Sequence, residues 1–581
     1  MLRAALAGCA LVAAVVACGG TRPVGVNRHP PSDVDAAFPD GSPSPTDADV
    51  FDTLPRPDVP RDLPVAALPA ELSPKQIVAA GAALAGDGTS SCTAEPGDRW
   101  CAFRKPGVTG NTTELWVINV TRAAASPTLL CDGTHPDCLR LTENLWTDEP
   151  ILGPRQRFAH RFDGDTLFFH ADALSAADAP YTGPIFAWRP GWAKARMVAA
   201  KAYACFAHLK RALALCVDNI TYDAAVPVEY DLRAGALDDA GGDVLPIVDH
   251  VLNAQANRQR APRVAFSDDG QFVVYTSAPV VDFPTPALKR VAVGTPMAGT
   301  PVEILSDVMD WALSIDGKKV FFFSEYKDGA GRLAVADFPS GADPRASSYR
   351  GVDFIVLGNP SVGDRGVGLF IERGGRFLSE YRIIPDSNAL SEAVLVFRYT
   401  NPLEDFHFSN DGQYVGYAKG DPDEGFNGYI VRTDGTRQCI LNGEPNRPAF
   451  EYFFLDNSRR VFWSEESPTS SDYRDGWFGN PDGCTARRVF AERIAFYTPV
   501  GNAGLIYGDG FDVNTDLFTL KYAALENQTE WPIAGGVRIH DGVGFPVAIL
   551  GPGLDQIVFQ AAGAREIESG IFVFGPLPFK R

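Results

Sequence analysis

The sequence contains few lysines and no excess of positive charge. Only 12 of its 52 basic residues are lysine, and 72 acidic residues bring the formal net charge to −20. Nucleic-acid-binding proteins normally carry a basic stripe, because their affinity comes largely from contacts with phosphates. The composition therefore argues against a nucleic acid as partner, and it leaves no lysine-rich patch for attachment to a membrane surface.

Long hydrophobic runs are also scarce. The segment from Ala4 to Ala17 has no charged residue, but its fourteen positions are too few for a transmembrane helix. They suffice for the apolar core of a signal peptide, which the single positive charge of Arg3 precedes. No later stretch approaches the length of a membrane span, so we expect no transmembrane helix in the mature chain.

The end of this segment resembles a bacterial lipobox. The sequence Val15-Val16-Ala17-Cys18-Gly19 places a small residue before a cysteine. The resemblance implies that residues 1–17 are a lipoprotein signal peptide and that Cys18 is the lipid-attachment residue. A rival match at Cys9 leaves too short an apolar core before it, and an ordinary cleaved signal with an incidental cysteine is the remaining alternative.

The composition changes after Cys18. Between Arg22 and Ala70 there are 11 prolines, mixed with Asp and Ser. Such a stretch buries too little apolar surface to offset the entropy of ordering it. We therefore predict a disordered Pro/Asp-rich tether over residues 18–71, and a folded body over residues 72–581.

The body is repetitive. Four segments each combine a short apolar strand, a turn of Ser, Asp, Asn or Gly, and a strand rich in Val, Phe and Tyr. They are Val264–Ser277, Ala312–Ser324, Phe406–Ala418 and Phe453–Ser464. Asp-Gly pairs accommodate positive φ in tight hairpins, so these segments predict pairs of antiparallel strands.

The repeat has the period of a propeller blade. The turn residues Gly270, Gly317, Gly412 and Ser458 are 47, 95 and 46 residues apart. Weaker copies raise the number of motifs to ten; they lie near Asp364, Asn502 and Gly553 and at Arg161–Phe169, Ala204–Cys216 and Asp98–Phe103. The second strands are almost continuously apolar, as expected when both faces of a sheet are buried. The sequence thus predicts an all-β propeller of four-stranded blades.

The motif FSDDGQFVVYTS at 266–277, with GYIVRTDG at 428–435, resembles the TolB-type propeller repeat of periplasmic proteins. The resemblance extends over roughly residues 90–578 as repeats and implies the fold. TolB carries an α/β domain before its propeller, and here that position holds the tether, so the partner role of TolB is not implied. Related peptidases need a Gly-x-Ser-x-Gly elbow, which this sequence lacks.

The number of blades and the closure of the ring are separate questions. Closed propellers typically have four to eight blades, so seven or eight is the expectation, with ten motifs as the upper count. The last motif, near Gln556, has no room for a fourth strand before the chain ends. We therefore predict that a segment before Asp98 supplies that outer strand and closes the ring.

Eight cysteines follow the predicted lipid-attachment residue, an even number typical of an exported, disulfide-bonded protein. Proximity favours four pairs, of which the last would join neighbouring blades. They are Cys92–Cys101, Cys131–Cys138, Cys205–Cys216 and Cys439–Cys484. No Cys-x-x-Cys motif occurs, which argues against a cysteine metal site.

Three of the eight histidines, His160, His208 and His407, precede hairpin turns on the predicted innermost strands. They are candidates for a metal or substrate site in the central channel, and the alternative is three unrelated histidines. The sequence contains no cofactor-binding loop, so we expect no cofactor.

The sequence favours a binding or scaffold module over an enzyme. We expect a lipid-anchored propeller of a bacterial cell envelope, whose loops bind a protein, a peptide or a glycan. Gly19-Gly20 lacks the aspartate that retains lipoproteins at the inner membrane in enteric bacteria, so this resemblance implies the outer membrane, facing the periplasm or the cell surface. The alternative is a lyase or hydrolase with a metal-assisted site in the channel, acting on polysaccharide.

Overall fold

The computed structural model describes most residues between 74 and 575. The longer stretches left out of the description are 85–91, 146–159, 172–182, 254–262, 279–285, 358–367, 385–393, 400–406, 441–448, 539–546 and 562–569. The predicted signal peptide, with Cys18, and the predicted tether lie outside the described residues. Among the residues that are described, no helix has the length and apolar character needed to cross a bilayer.

Nearly all of the regular structure is β-strand. The first half of the chain contains β1 (Lys75–Val78), β2 (Ala83–Leu84), β3 (Trp100–Pro106), β4 (Thr113–Asn119), α1 (Val120–Ala125), β5 (Cys138–Thr142), β6 (His160–Asp163), β7 (Thr166–His170), β8 (Gly183–Trp188), β9 (Arg196–Ala207), β10 (Leu213–Asp223), β11 (Val226–Ala236), β12 (Ile247–Leu252), β13 (Val264–Phe266), β14 (Phe272–Ser277), β15 (Ala287–Ala292), β16 (Val302–Leu305), β17 (Asp310–Leu313), β18 (Lys319–Lys327) and β19 (Ala330–Asp337). The second half contains β20 (Arg345–Leu357), β21 (Gly368–Gly374), β22 (Leu378–Ile384), β23 (Val394–Tyr399), β24 (His407–Phe408), β25 (Tyr414–Asp421), β26 (Gly425–Arg432), β27 (Gln438–Ile440), β28 (Ala449–Phe454), β29 (Val461–Ser467), β30 (Ser470–Gly479), β31 (Arg488–Ala491), β32 (Phe496–Val500), β33 (Gly504–Asp512), β34 (Leu517–Ala524), β35 (Thr529–Arg538), β36 (Val547–Leu550), β37 (Gln556–Ala561) and β38 (Gly570–Phe574).

The strands form antiparallel meanders that divide into four-stranded blades. Four sheets consist of one blade each: β2–β5 (blade 1), β13–β16 (blade 4), β24–β27 (blade 7) and β28–β31 (blade 8). Two seven-stranded sheets hold two blades each, because β9 is shared by blades 2 and 3 and β20 by blades 5 and 6. In the eight-stranded sheet, β32–β35 form blade 9, and β36–β38 with β1 form blade 10. The described strands thus make ten blades, which equals the number of motifs and exceeds the expected seven or eight.

Where the side chains are described, the sheets are buried on both faces by neighbouring blades. In β10, Ala214 and Cys216 belong to the core shared with blades 1 and 2, whereas Leu215 and Val217 pack against blade 4. The alternation follows from the two-residue period of a strand, which sends successive side chains to opposite faces. This explains why the second strands of the repeats are almost entirely apolar.

Contacts link most of the neighbouring blades and also the last blade with the first. Apolar clusters join blade 1 to 2, 2 to 3, 3 to 4, 4 to 5, 8 to 9 and 9 to 10. The rings of Tyr414 in blade 7 and Phe454 in blade 8 stack at 6.4 Å. A further cluster joins Val558 of blade 10 to Trp116 of blade 1. Because the last blade packs on the first, the sheets are arranged radially, and the molecule is a β-propeller.

The predicted closing strand is present. In β1, Lys75, Gln76 and Val78 are register partners of Val573, Phe572 and Ile571 in β38. The N-terminal segment therefore supplies the fourth strand of the last blade, as the sequence predicted.

Candidate functional site

The first hairpin turns of blades 4, 5 and 7 share a backbone hydrogen bond, which their sequence explains. In blade 4 the Ser267 hydroxyl accepts a hydrogen bond from the Phe272 N–H at 2.9 Å. Ser314 and Ser409 make the same bond in blades 5 and 7, at 2.8 and 2.9 Å. Gly270 has φ of 63°, a left-handed conformation that favours glycine. The Ser-x-Asp-Gly pattern therefore closes the turn and leaves the other side chains free to vary.

Neighbouring turns are bonded to one another. The Asp163 carboxylate of blade 2 accepts from the Ala207 N–H of blade 3 at 3.2 Å. The His208 Nε2 atom of blade 3 lies 2.9 Å from the Asp268 carbonyl oxygen of blade 4, and Arg211 donates to the Gly270 carbonyl at 3.3 Å. We call the surface formed by residues 163–165, 208, 211–212, 267–271, 314 and 317–319 the turn face. These bonds hold its first three turns together.

The turn face carries charges of both signs. Arg211, Asp268 and Asp269 are exposed. Burial opposes ionisation of Asp269, but hydrogen bonds from the Gln271 N–H and the Ser267 hydroxyl, with Arg211 and His208 nearby, lower its pKa. Asp269 is therefore a carboxylate over a wide pH range, beside the exposed guanidinium of Arg211. Such a surface is suited to polar or charged groups of a partner.

The three candidate histidines do not occupy equivalent positions. His160 is a register partner of Phe169 in blade 2, and His407 is a register partner of Gly416 in blade 7. His208 lies in the turn of blade 3, where its ring meets that of Phe266 edge-on at 5.6 Å. The imidazole of His208 thus packs between blades 3 and 4. Among the residues that the structure describes, no group of three His, Cys, Asp or Glu side chains could hold a metal ion. The channel site stays a prediction.

A polar cluster that the sequence analysis missed lies between blades 3 and 4. The Tyr275 hydroxyl donates to Asp249 at 2.6 Å, and the Lys289 Nζ atom lies 3.7 Å from the same carboxylate. Burial and the Asp249 carboxylate raise the pKa of Tyr275, and the same two causes raise the pKa of Tyr230. Both phenols therefore stay protonated at neutral pH, so they are hydrogen-bond donors rather than general bases.

Blade 9 contains a similar cluster. The Tyr507 hydroxyl donates to Glu530 at 2.5 Å, and Lys521 bonds to Glu530 at 2.9 Å and Asp509 at 2.6 Å. Burial and the two carboxylates raise the pKa of Tyr507. Tyr275 and Tyr507 each face a lysine on the next strand and lie five residues after their turn positions. Aligning the repeats would have revealed this Tyr–Lys pair, although not the acid that joins it.

Three of the four predicted disulfides are present. Cys92–Cys101, Cys131–Cys138 and Cys205–Cys216 are bonded, and the Cys205 and Cys216 pair bridges adjacent strands of blade 3. Cys484 lies outside the described residues, so the pairing with Cys439 stays a prediction.

Comparisons with known proteins add little to this description. The sequence matches no protein-family model and no curated protein sequence. Dipeptidyl peptidase 4 of Porphyromonas gingivalis is 11% identical, with a TM-score of 0.39 over 69% of this chain and 63% of its own. Oligogalacturonate lyase of Vibrio parahaemolyticus is 13% identical, with a TM-score of 0.29 over 54% of this chain and 88% of its own. TolB of Acinetobacter baumannii is 14% identical, with a TM-score of 0.26 over 56% and 80%. At these TM-scores no function is transferred, and the fold rests on the strand topology.

Proposed function

We propose that the protein is a binding module of a bacterial cell envelope and that the turn face receives a protein, a peptide or a glycan. The observation that carries the proposal is the bonding between the turns of blades 2, 3 and 4. A surface whose backbone is already fixed loses little conformational entropy on binding. Its side chains differ from blade to blade, which gives a partner something specific to recognise.

The location follows from the sequence and is compatible with the disulfides. The lipobox-like segment ending at Cys18 directs the chain through export and lipid attachment. Three disulfides in the described residues fit an oxidising compartment, because thiols are kept reduced in the cytosol. Incorporation of labelled palmitate that a Cys18→Ser variant abolishes is the expected result, and labelling that persists in this variant would contradict the anchor.

Binding at the turn face is tested with the soluble body starting at Leu72. The body is used to capture envelope proteins and to screen peptidoglycan and surface polysaccharides. A variant combining Arg211→Glu and Asp268→Lys reverses two exposed charges without changing their sum. We expect it to weaken binding at least tenfold. The control is Glu303→Lys on the outer strand of blade 4, which should bind as the parent does.

The same screen also tests the alternative function, a lyase or hydrolase that acts on polysaccharide at a site in the channel. Shortening of a polysaccharide that stops in His160→Ala and His407→Ala variants would favour the channel-sited enzyme. Equal binding by the parent and the turn-face variant would remove the turn face from the proposal.

A further inference from the structure

The first and last blades are joined by a segment that belongs to both. We call residues 75–79 and 82–84 the clasp, since β1 is the outer strand of blade 10 and β2 is the first strand of blade 1. Every other outer strand follows the third strand of its own blade along the chain, whereas β1 and β38 lie at opposite ends of the chain. We call the boundary between blades 10 and 1 the seam.

Polar bonds fix the clasp to both sides of the seam. The Lys75 ammonium donates to the carbonyl oxygens of Ala124 and Ser126, at the C-terminal end of α1 in blade 1. The carbonyls at a helix C-terminus lack partners within the helix and carry partial negative charge, which suits an ammonium group. On the other side, the Leu84 N–H donates to the side-chain oxygen of Gln560 in blade 10 at 3.2 Å.

The apolar core of the seam includes the clasp itself. Ile77 and Val78 are 1% and 0% exposed and pack with Val558, Ile571 and Val573 of blade 10. The same cluster contains Cys101 and Cys138, so two of the three described disulfides lie on the blade 1 side of the seam. They stabilise the loops next to the clasp, but neither crosses the seam.

We propose that the ring opens at the seam and that the clasp is the element that is released. A hairpin strand that detaches stays close to its partner, and closing its short loop again costs little entropy. No such loop joins β1 to β38, so once β1 detaches, only side-chain contacts hold blades 10 and 1 together at the seam. β1 has three register pairs with β38, the same number that β16 has with β15 in blade 4, so the two outer strands differ in chain connectivity rather than in pairing.

Release of the clasp has two consequences. It exposes the backbone edge of β38, which could then pair with an extended strand from a partner. It also couples opening of the ring to the chain before Lys75, because a mechanical force on that chain acts first on β1. Neither consequence depends on the proposed role of the turn face, so the two proposals can fail independently.

Hydrogen exchange of the full-length protein, followed by mass spectrometry, tests the proposal. We expect the amides of β1 and of the outward edge of β38 to exchange together, at least tenfold faster than those of β15 in blade 4. Lys75→Met keeps the aliphatic stem and removes the ammonium, so it should raise both rates several-fold. Lys289→Met, the control, removes a partly buried lysine from blade 4 and should leave the seam unchanged.

A second variant locks the clasp. Lys75 and Val573 are register partners, so Lys75→Cys with Val573→Cys places two cysteines opposite each other on β1 and β38. With the cross-link verified by peptide mapping, exchange at β1 and β38 should slow to the rate of β15. The proposal is overturned if the locked protein still exchanges at β38 as the parent does, or if β1 and β38 respond separately to Lys75→Met.

Discussion

The seam and the boundaries around blades 2 to 5 join blades in different ways. Within the pairs 2–3 and 5–6, single strands of 12 and 13 residues pass from one blade into the next. The turns of blades 2, 3 and 4 are bonded directly. At the seam no continuous strand connects the blades, and the clasp, a buried apolar cluster and nearby disulfides take over. Because no loop joins β1 to β38, specific packing holds these two strands together.

Removing the clasp should lower the free energy of unfolding more than any of the other changes below. Deletion of residues 1–84 removes Ile77, Val78 and Leu84, which are 1%, 0% and 5% exposed. At about 2 kcal/mol for each buried aliphatic side chain, the free energy of unfolding should fall by at least about 5 kcal/mol. Urea denaturation measures the loss. Deletion of residues 1–71 keeps the clasp and should cost nothing; an equal loss in both deletions would count against the seam.

The next effect concerns blade 2, where a buried histidine should make the folded protein less stable at low pH. Burial lowers the pKa of His170 from 6.5 to about 4, although a hydrogen bond to the Pro184 backbone partly opposes the shift. Because the folded pKa is the lower one, the unfolded chain binds more protons between these values. The stability that the fold gains by keeping His170 neutral is complete above pH 6.5. It is lost as the pH falls towards 4, by about 3 kcal/mol in total.

The pH effect is measured as the difference between the parent and His170→Gln in denaturant midpoints from pH 7 to 4. The variant should lose stability less steeply than the parent across this range. His250→Gln removes a histidine whose side chain is 78% exposed and serves as the control. Equal flattening by both variants would show that burial of His170 is not the cause.

A smaller effect is expected at the boundary between blades 3 and 4, where loss of the Tyr275 hydroxyl should lower the free energy of unfolding. Tyr275→Phe removes the hydrogen bond to the Asp249 carboxylate, and bonds to charged groups contribute about 1.5–3 kcal/mol. The matched control is Tyr230→Phe, whose buried hydroxyl has no hydrogen-bond partner among the described residues. Loss of the Tyr230 hydroxyl should leave the free energy of unfolding unchanged. If the control destabilises as much, the bond to Asp249 does not hold this boundary.

The smallest effect is expected in the turn face. Gly270→Ala forces a side chain into φ of 63° and would place a Cβ atom 2.8 Å from Arg211 Cδ. Gly510→Ala shares the positive φ, at 68°, but meets nothing within 4 Å. The control should lose about 1 kcal/mol from the backbone conformation, and Gly270→Ala about 1 kcal/mol more. Equal losses in thermal unfolding would mean that contact between turns contributes little.

The parts of the fold that depend on local patterns were predictable. The Asp-Gly turns and apolar second strands gave the blades and their period, and Gly270 and Gly317 have the positive φ that the motif requires. Short sequence separation also gave the disulfides, since Cys205 and Cys216 are register partners in one hairpin. The closing strand followed from counting: the last blade lacked a fourth strand, and an unpaired outer edge is unfavourable.

The number of blades and the identity of the surfaces between them depended on the tertiary structure. No local rule limits how many sheets fit around one axis, because each blade senses only its two neighbours. The same holds for the acid that joins each Tyr–Lys pair: Asp249 comes from the preceding blade and Glu530 from the same blade. It also holds for His208, whose position in the sequence suggested a channel but whose ring packs between two turns. The repeating sequence thus determined the unit, and packing between units decided which polar side chains meet.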